Sequence, residues 1–505
     1  MAAPVRKTQG LEAREAETLE AYFAPFRANI VGQDQTFVSP YGERRIVYAD
    51  WTASGRLYRP IEQRIVADFG PFVGNTHSES STTGSAMTEA YAEARRILKA
   101  HVHAGPDDLL LAGGSGMTGM ANKLQRLLGL KAPQGLRKHI RIPEAERPVV
   151  LVTHLEHHSN HTSWLETIAD VVVIPPDARG VVDLVALEDL LDRYRSRPLL
   201  IGAFSACSNV TGLRTPYHAM ARLVHRAGGT VVVDAAASAP YVPLDMHPAD
   251  PEERLDALLF SPHKFLGGPG SAGVVIFNRA LYHNTVPDEA GGGTVDWTNP
   301  WGQYAFRDDV EAREDGGTPG FLQTIRAALA VRLKEAMGTE AMERREAAIV
   351  PRVLDGLGAI PGVHLLARRV RDRQAIVSFY VENAHYNLVV KLLNDRFGVQ
   401  SRGGCSCAGT YGHYLLHVDP TRSRHITDLI GRGDLSEKPG WVRLSFHPTT
   451  TDAEVEHCIG AVREIVAHAD AWARDYTYDP HTNEYTHRDG VLAERRRVHG
   501  WFDLT

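Results

Sequence analysis

TVVVDAA, at residues 230–236, is a continuous apolar run that ends on an acidic side chain, which predicts a strand buried on both faces. Four more runs are similarly apolar: PVVLVTH (148–154), ADVVVIP (169–175), LLIGAFS (199–205) and AGVVIF (272–277). Such runs are typical of parallel strands covered by helices on both sides. Amphipathic segments such as YHAMARLVHRAGG (217–229) lie between them, and a Gly pair ends this one. The sequence therefore predicts an α/β fold with a mainly parallel sheet.

The remaining segments predict four regions along the chain. Residues 46–330 form the large α/β domain, and the stretch at 316–338 is a long connecting helix. Residues 331–470 alternate helix and strand signals, which indicates a smaller α+β domain. Residues 1–45 are expected to be a helical N-terminal segment, and the polar, turn-rich residues 471–505 a C-terminal extension.

The net charge, the apolar runs and the cysteine count limit the kinds of molecule that this protein is expected to bind. The 505 residues carry a formal net charge of -6, so no basic excess favours nucleic acid or an anionic membrane surface. The N-terminal residues lack the apolar core of a signal peptide, and no apolar run approaches the roughly 20 residues of a membrane span. Four cysteines in so long a chain indicate reduced thiols rather than a disulfide framework. We expect a cytoplasmic protein that acts on a small molecule.

Lys264 is the first candidate for chemistry. It follows a strand and precedes a Gly-rich turn in LLFSPHKFLGGPG, residues 258–270, where a cofactor could reach it. Asp234 ends the strand of the opening stretch, and ligands of open α/β sheets lie beyond the carboxyl ends of strands. A lysine that forms a Schiff base and an acid that pairs with a ring nitrogen are both parts of a pyridoxal site. The alternatives are a solvated loop lysine and a helix N-cap aspartate.

A Gly-rich loop supplies a candidate phosphate site. In LLLAGGSGMTGMANKLQ, residues 109–125, Ser115, Gly116 and Thr118 stand directly before a helix, whose backbone N–H groups and dipole favour an anion. Loops of this composition are frequent, so this loop indicates a phosphate site only when it is considered together with Lys264 and Asp234.

The segment THLEHHSNHTSW, residues 153–164, contains four histidines. Their spacing allows a zinc site, but no carboxylate or thiol completes a ligand set convincingly. We therefore predict no metal, and we expect one of these histidines to stack on a planar cofactor while the others are core or surface residues.

Taken together, these residues resemble the class V aminotransferase family of fold-type I pyridoxal 5'-phosphate (PLP) enzymes. Within it they are most similar to the cysteine desulfurases and selenocysteine lyases of the second group, from about residue 46 to about residue 465. The resemblance implies a large domain with a mainly parallel seven-stranded sheet and a smaller α+β C-terminal domain.

The resemblance also implies how PLP is bound. The family's phosphate loop matches Gly116, Met117 and Thr118, and its S-x-H-K motif matches Ser261, His263 and Lys264. The serine and the histidine of that motif are expected to hold phosphate, and the lysine to form the Schiff base and shuttle the proton.

The cofactor ring has its own set of matching residues. The motif E-H-H-x-N-x-x-x-W, which carries the stacking histidine, fits residues 156–164 and identifies His157. Asp234 takes the pyridinium position, and Asn209 of S-N-V-x-G lies near the phenolic oxygen and the substrate. The family usually has Gln three residues after the aspartate, where this chain has Ala237, so that contact is missing or supplied elsewhere.

Two further matches concern the partner subunit and the substrate. The threonine of GGTP (316–319) reaches the phosphate of the neighbouring subunit in relatives, so Thr318 implies a homodimer. GWVRLSFHP (440–448) resembles the segment whose arginine binds the substrate carboxylate, which selects Arg443 and, with it, Arg402. The alternative for Arg443 is an ordinary salt bridge.

The family's catalytic cysteine lies in R-x-G-x-x-C-A, which RGGCSCA at 402–408 matches with Cys407 in the catalytic position. A thiolate on a flexible Gly-rich loop can attack the sulfur of the substrate and carry it away. Relatives often have His-His before the cysteine, whereas this chain has Cys405 and Ser406. The alternative is that the two cysteines only pack or cap a turn.

The sequence thus predicts a PLP enzyme that acts on a small amino acid, with cysteine desulfurase or selenocysteine lyase as the leading function. A sulfur-acceptor protein is then an expected partner. A C–S lyase, an epimerase or an aminotransferase on the same fold stays open, and so does a non-catalytic scaffold. A zinc hydrolase is the remote alternative.

Overall fold

The computed structural model describes residues 18–76, 79–489 and 498–504, and their contacts divide the chain into two units. The first unit contains the described residues up to Val31, together with Trp51–Arg345 and Asp372–Gln374. The second contains Gly32–Asp50, Glu346–Arg371 and the described residues from Ala375 onward. Within the described residues of both units, no helix combines the length and the apolar character needed to cross a membrane.

The first unit is built on a seven-stranded sheet with the spatial order β4-β10-β9-β8-β7-β5-β6. Its strands are β4 (Asp108–Gly113), β5 (Val149–Thr153), β6 (Asp170–Ile174), β7 (Leu200–Ser205), β8 (Thr230–Asp234), β9 (Ala257–Phe260) and β10 (Gly273–Asn278). Strand β10 pairs antiparallel with β4 and β9, and the other neighbouring pairs of the sheet are parallel. The predicted α/β fold with a mainly parallel seven-stranded sheet is confirmed, and all five quoted apolar runs are strands of it.

Helices and a separate two-stranded hairpin make up much of the rest of the first unit. The helices are α1 (18–27), α2 (Arg59–Arg64), α3 (Thr82–His101), α4 (Met117–Leu127), α5 (Gln134–Arg137), α6 (Thr162–Leu165), α7 (Leu184–Tyr194), α8 (Tyr217–Arg226), α9 (Val310–Arg313) and α10 (Phe321–Met337). The hairpin pairs β11 (Val295–Thr298) with β12 (Tyr304–Phe306). Every residue of β5 and β7 is buried, which explains why these strands show no polar alternation.

The second unit is an α+β structure around a four-stranded antiparallel sheet with the order β13-β14-β17-β16. Its strands are β1 (Thr36–Ser39), β2 (Gly42–Arg45), β3 (Val47–Tyr48), β13 (Val363–Leu365), β14 (Ile376–Val381), β15 (Val399–Gln400), β16 (Arg402–Gly404), β17 (Trp441–Ser445), β18 (Tyr476–Asp479) and β19 (Glu484–His487). Its helices are α12 (Tyr386–Phe397), α13 (Gly409–Leu415), α14 (Pro420–Gly431) and α15 (Asp452–Trp472), and α11 (Thr339–Gly358) contains the boundary between the units.

The boundaries of the units differ from the predicted ones. The first unit extends past 330 to Arg345, because α10 is largely buried and packs on α3 within that unit. Residues 32–50 belong to the second unit rather than to an N-terminal segment, because β3 pairs in parallel with β15. A sequence pattern identifies an apolar helix or strand but not the partner that buries it.

The αL turn after α12 gives a test of backbone constraint in the second unit. Gly398 has a φ of 71°, and a Cβ there would overlap the carbonyl oxygen of Arg45. Gly362 has a similar φ of 80°, but its nearest neighbours would be 3.9 Å from a Cβ. Gly362→Ala should therefore cost about 1 kcal/mol of unfolding free energy, from its φ alone. Gly398→Ala should cost about 3 kcal/mol, because it adds a steric clash. Equal losses in denaturant titrations would contradict this account.

Candidate active site

Asp234 ends β8 and lies fully inside the first unit, 5% exposed. Its Oδ1 accepts a hydrogen bond from the Ala236 backbone N–H at 2.8 Å. Burial raises the pKa of Asp234, while this hydrogen bond and the charge of Lys264 act in the opposite direction. Lys264, which is predicted to bind the cofactor aldehyde, is thus close enough for its charge to act on Asp234, which is predicted to bind the cofactor ring.

Lys264 lies in a short helical turn, Pro262–Lys264, directly after β9. A hydrogen bond from another segment holds the backbone of this turn, because the Gly55 N–H donates to the His263 carbonyl oxygen at 2.9 Å. A side chain on Gly55 would overlap the backbone of Phe265, so the two segments are in direct contact. The lysine is partly exposed on a turn whose backbone is held in place.

The predicted phosphate residues lie together around the start of α4. The Met117 N–H donates to the Ser261 hydroxyl at 2.8 Å, and a Cβ on Gly116 would lie 2.8 Å from Cε1 of His263. Burial lowers the pKa of His263, and the charge of Lys264 lowers it further. A hydroxyl, an imidazole and the N–H groups of an 11-residue helix suit a phosphate, so this site fits the cofactor that the sequence predicts.

His157 is connected to the same loop through Ser159. Its Nδ1 accepts from the Ser159 N–H at 3.1 Å, which leaves Nε2 as the protonated nitrogen of a neutral ring. The Ser159 and Thr118 hydroxyls are 2.6 Å apart. A serine between them therefore sets the position of the predicted stacking ring relative to the predicted phosphate loop.

Glu156, next to His157, has a role that sequence reasoning missed. Its buried carboxylate accepts from the Thr153 hydroxyl at 2.6 Å, the Ser205 hydroxyl at 2.6 Å and the Asn160 amide at 2.8 Å, and also from the backbone N–H groups of Thr153 and Ser205. Burial raises the pKa of Glu156 to about 7, against the effect of these donors. The glutamate in the quoted motif was the available signal, but its partner on β7 is remote in sequence.

Two predicted cofactor residues lie elsewhere in the first unit. Asn209 follows β7 and is buried, in a turn where the Ser208 hydroxyl accepts from the Val210 and Thr211 N–H groups. Thr318 is exposed and lines a polar cavity of about 180 Å³ with Gly114 and other residues. Their predicted contacts with cofactor and partner subunit stay predictions.

His154, a candidate zinc ligand, is engaged in a structural contact. Its Nε2 lies 3.2 Å from the Gly180 carbonyl oxygen, and burial lowers the pKa of His154 to about 4. Within the described ranges, no three His, Cys, Asp or Glu side chains are arranged to hold a metal ion.

The second unit holds the predicted substrate arginines on one carboxylate. Arg443 of β17 is 2% exposed, and its Nη2 lies 2.7 Å from Oδ1 of Asp50. Arg402 of β16 binds the other oxygen of Asp50, through Nε at 3.1 Å and Nη2 at 3.0 Å. Burial lowers the pKa of Arg443, and Asp50 partly offsets this. Sequence reasoning missed Asp50, which lies about 390 residues before its main partner.

The loop with the predicted nucleophile is a tight turn made without glycine at its centre. The Ala408 N–H donates to the Cys405 carbonyl oxygen at 2.9 Å, while Ser406 and Cys407 have φ values of 50° and 56°. Two successive left-handed residues define a type I′ turn, which normally uses Gly, Asn or Asp. Cys407 is exposed and Cys405 is partly buried, and both thiols are free. The turn presents Cys407 to solvent at a cost in backbone strain.

Comparisons with known proteins identify the family. The sequence model of the family described as Aminotransferase class-V matches residues 47–458. The chain is 26% identical to a probable cysteine desulfurase of Halalkalibacterium halodurans over 72% of this chain and 84% of the relative. It is 29% identical to probable cysteine desulfurase 2 of Mycobacterium leprae, over 66% of this chain and 76% of the relative.

Solved structures support the fold. A cysteine desulfurase from Thermococcus onnurineus, solved in its apo form, superposes with a TM-score of 0.70 at 23% identity and covers 88% of this chain and 98% of its own. The cysteine desulfurase CsdA of Escherichia coli gives a TM-score of 0.68 with the same identity and the same coverage of both chains.

Glu156 should make the stability of the first unit depend on pH. Its pKa rises from 4.5 to about 7 on folding, so the folded state binds the proton more tightly and loses stability as pH increases between these values. The loss of unfolding free energy that Glu156→Gln causes should therefore be smaller at pH 8 than at pH 5. The two losses should differ by at most about 3 kcal/mol. Glu188→Gln, on the exposed face of α7, is the control. Parallel pH profiles of unfolding for wild type and Glu156→Gln would contradict this role.

The Asp50–Arg443 pair should be strongly coupled. Asp50→Asn removes the carboxylate from a buried guanidinium and should cost about 3 kcal/mol, much of which should return in the Asp50→Asn/Arg443→Met double variant. The exposed Arg371–Asp355 pair of the same unit, with contacts of 2.8 and 2.9 Å, is the matched control and should show a coupling below about 1 kcal/mol. Equal coupling energies in the two double-mutant cycles would refute the assignment.

Proposed function

Because this chain belongs to the aminotransferase class-V family, we propose that it is a cysteine desulfurase that converts L-cysteine to L-alanine and leaves the sulfur on Cys407. The observation that carries the proposal is the exposed Cys407 thiol, presented by a strained turn within the family-matched segment. Relatives at 26% and 29% identity that are named probable cysteine desulfurases support it.

The chain is a PLP-dependent enzyme of this family. When bound, PLP supplies an electron sink that stabilises negative charge at the α-carbon of an amino acid. Lys264 would hold its aldehyde carbon, Asp234 its ring nitrogen and His157 one ring face. The loop at Gly116–Thr118, with Ser261 and His263, would hold its phosphate through backbone N–H groups, hydroxyls and an imidazole.

Substrate binding is assigned to the arginine pair of the second unit. Arg402, Arg443 and Asp50 carry a net charge of +1, which one α-carboxylate neutralises. Arg443 offers a planar set of donors that matches a carboxylate, and Asp50 fixes the orientation of that plane before substrate arrives. The pair therefore favours amino acids over simple amines.

The reaction requires two actions from this chain. The Lys264 amine removes the proton from the substrate α-carbon and later returns a proton to the product. The Cys407 thiolate attacks the substrate sulfur, so that an S–S bond forms as the Cβ–S bond breaks. The substrate carbon skeleton leaves as alanine, with Cβ carrying one more hydrogen, and Cys407 keeps the sulfur as a persulfide.

The remaining assignments concern partners and location. We infer a homodimer in which the exposed Thr318 reaches the phosphate of the neighbouring subunit, and a thiol-bearing acceptor protein that removes the persulfide sulfur. A cytoplasmic location agrees with four free cysteines.

The test is an assay of purified, PLP-loaded protein with L-cysteine in which alanine, pyruvate and sulfide are measured together. Cys407→Ala should lose alanine formation by about 100-fold or more, because the sulfur acceptor is gone. Cys458→Ala, which removes a buried thiol, is the matched control and should retain turnover.

Other outcomes identify the alternatives. Pyruvate and sulfide that form equally well without Cys407 would mean a C–S lyase. Amino-group transfer or inversion at the α-carbon would mean an aminotransferase or an epimerase. A protein that gains no visible PLP absorbance would be a scaffold rather than an enzyme.

A further inference from the structure

The C-terminal hairpin of β18 and β19 lies outside the family-matched segment, which ends at residue 458. It nevertheless packs in the second unit, against α12. Tyr476, which is 4% exposed, donates to the buried Asp395 of that helix at 3.0 Å. The hairpin is thus attached to a helix that lies within the family-matched segment.

Asn483 is the principal contact of this hairpin. It adopts a φ of 60° and is 7% exposed. Its side-chain amide donates to the Tyr386 hydroxyl at 2.6 Å and accepts from Tyr478 at 2.8 Å, and its backbone oxygen accepts from the Asn387 amide at 2.5 Å. One residue of the hairpin therefore binds the first two residues of α12.

Those two residues of α12 in turn contact the cysteine loop. A Cβ on Gly403 would overlap Oδ1 of Asn387 and lie 3.3 Å from the ring of Tyr386. Burial raises the pKa of Tyr386 to about 12, and the charge of the Cys405 thiol adds to the increase. Cys405 itself is partly buried, two residues after Gly403. The Tyr386 hydroxyl also donates to the Lys438 carbonyl oxygen at 3.1 Å.

The turn that presents Cys407 needs such support. Ser406 and Cys407 both adopt left-handed conformations, which cost energy for residues with a side chain. The Ser406 hydroxyl accepts from the Trp441 indole N–H at 3.2 Å, and β16 pairs with β17 up to Gly404. In addition to that strand pair, the start of α12 packs on the loop at Gly403.

We propose that the C-terminal hairpin, through Asn483 and Tyr386, positions the loop Arg402–Ala408 and keeps Cys405 packed while Cys407 is exposed. Asn483 and Tyr386 are positioning residues. The consequence for turnover rests on the proposed desulfurase function, whereas the consequence for the loop does not.

The test measures the rate at which iodoacetamide alkylates Cys405 in PLP-loaded protein with a Cys407→Ala background. Asn483→Gly keeps the left-handed backbone and removes both side-chain hydrogen bonds, and Tyr386→Phe keeps the ring and removes its hydroxyl. Each should increase the Cys405 rate about fivefold, the factor for loss of the one buried hydrogen bond that joins Asn483 of the hairpin to Tyr386 of α12. The double variant should increase the rate by less than the product of the two single effects, because both remove the shared bond between Asn483 and Tyr386.

Two controls separate positioning from general loosening. Thr477→Ala, on the exposed side of the same hairpin, should leave the Cys405 rate unchanged. Cys458 is fully buried in the same unit, and its alkylation should not increase in any variant. An increase at Cys458 in parallel with Cys405 would overturn the proposal, and so would unchanged Cys405 rates in both single variants.

A second readout addresses catalysis with Cys407 restored. Asn483→Gly should lower kcat for L-cysteine by about fivefold with a smaller change in KM, since Arg402 of the loop is held separately by Asp50, and Arg443 lies on β17. Faster Cys405 alkylation in a protein without desulfurase activity would support the positioning role and remove only the proposed function. An unchanged kcat in an active enzyme would overturn the positioning role in turnover.

Discussion

A buried carboxylate must be surrounded by donors, and the candidate cofactor site depends on how Glu156 meets this requirement. Its partners Thr153 and Ser205 end the neighbouring strands β5 and β7, and Ser205 pairs with Asp234 across the sheet. Its other partner, Asn160, accepts from the buried indole of Trp164. The same carboxylate therefore fixes the segment that carries the predicted stacking histidine and the strand beside the predicted pyridinium aspartate.

Charge balance plays the corresponding part in the second unit. Arg443 is almost fully buried, a position that is costly for a guanidinium unless a carboxylate compensates it. Asp50 supplies that carboxylate and uses its second oxygen for Arg402, whose side chain is 51% exposed. One acid thus orients two cations, and the excess positive charge suits a substrate with a single carboxylate.

The two cysteines of the loop differ because of the backbone between them. Consecutive left-handed residues give a turn in which Cys407 is exposed and Cys405 is partly buried. A strained conformation persists only where the surroundings over-determine it. Here the surroundings include a hairpin beyond the family-matched segment, which contacts the start of α12 and, through it, the loop.

The sequence by itself determined the α/β class, the five apolar strands, the family and the candidate residues, because buried strands and short motifs are local patterns. It did not determine that 32–50 join the second unit, that the boundary lies at Arg345, or what Asp50, Glu156 and Asn483 contact. The partners of these three lie on segments remote in sequence, at Arg443, Ser205 and Tyr386. Only the tertiary structure brings such partners together, because burial and hydrogen bonding depend on what packs against a residue rather than on its neighbours in the chain.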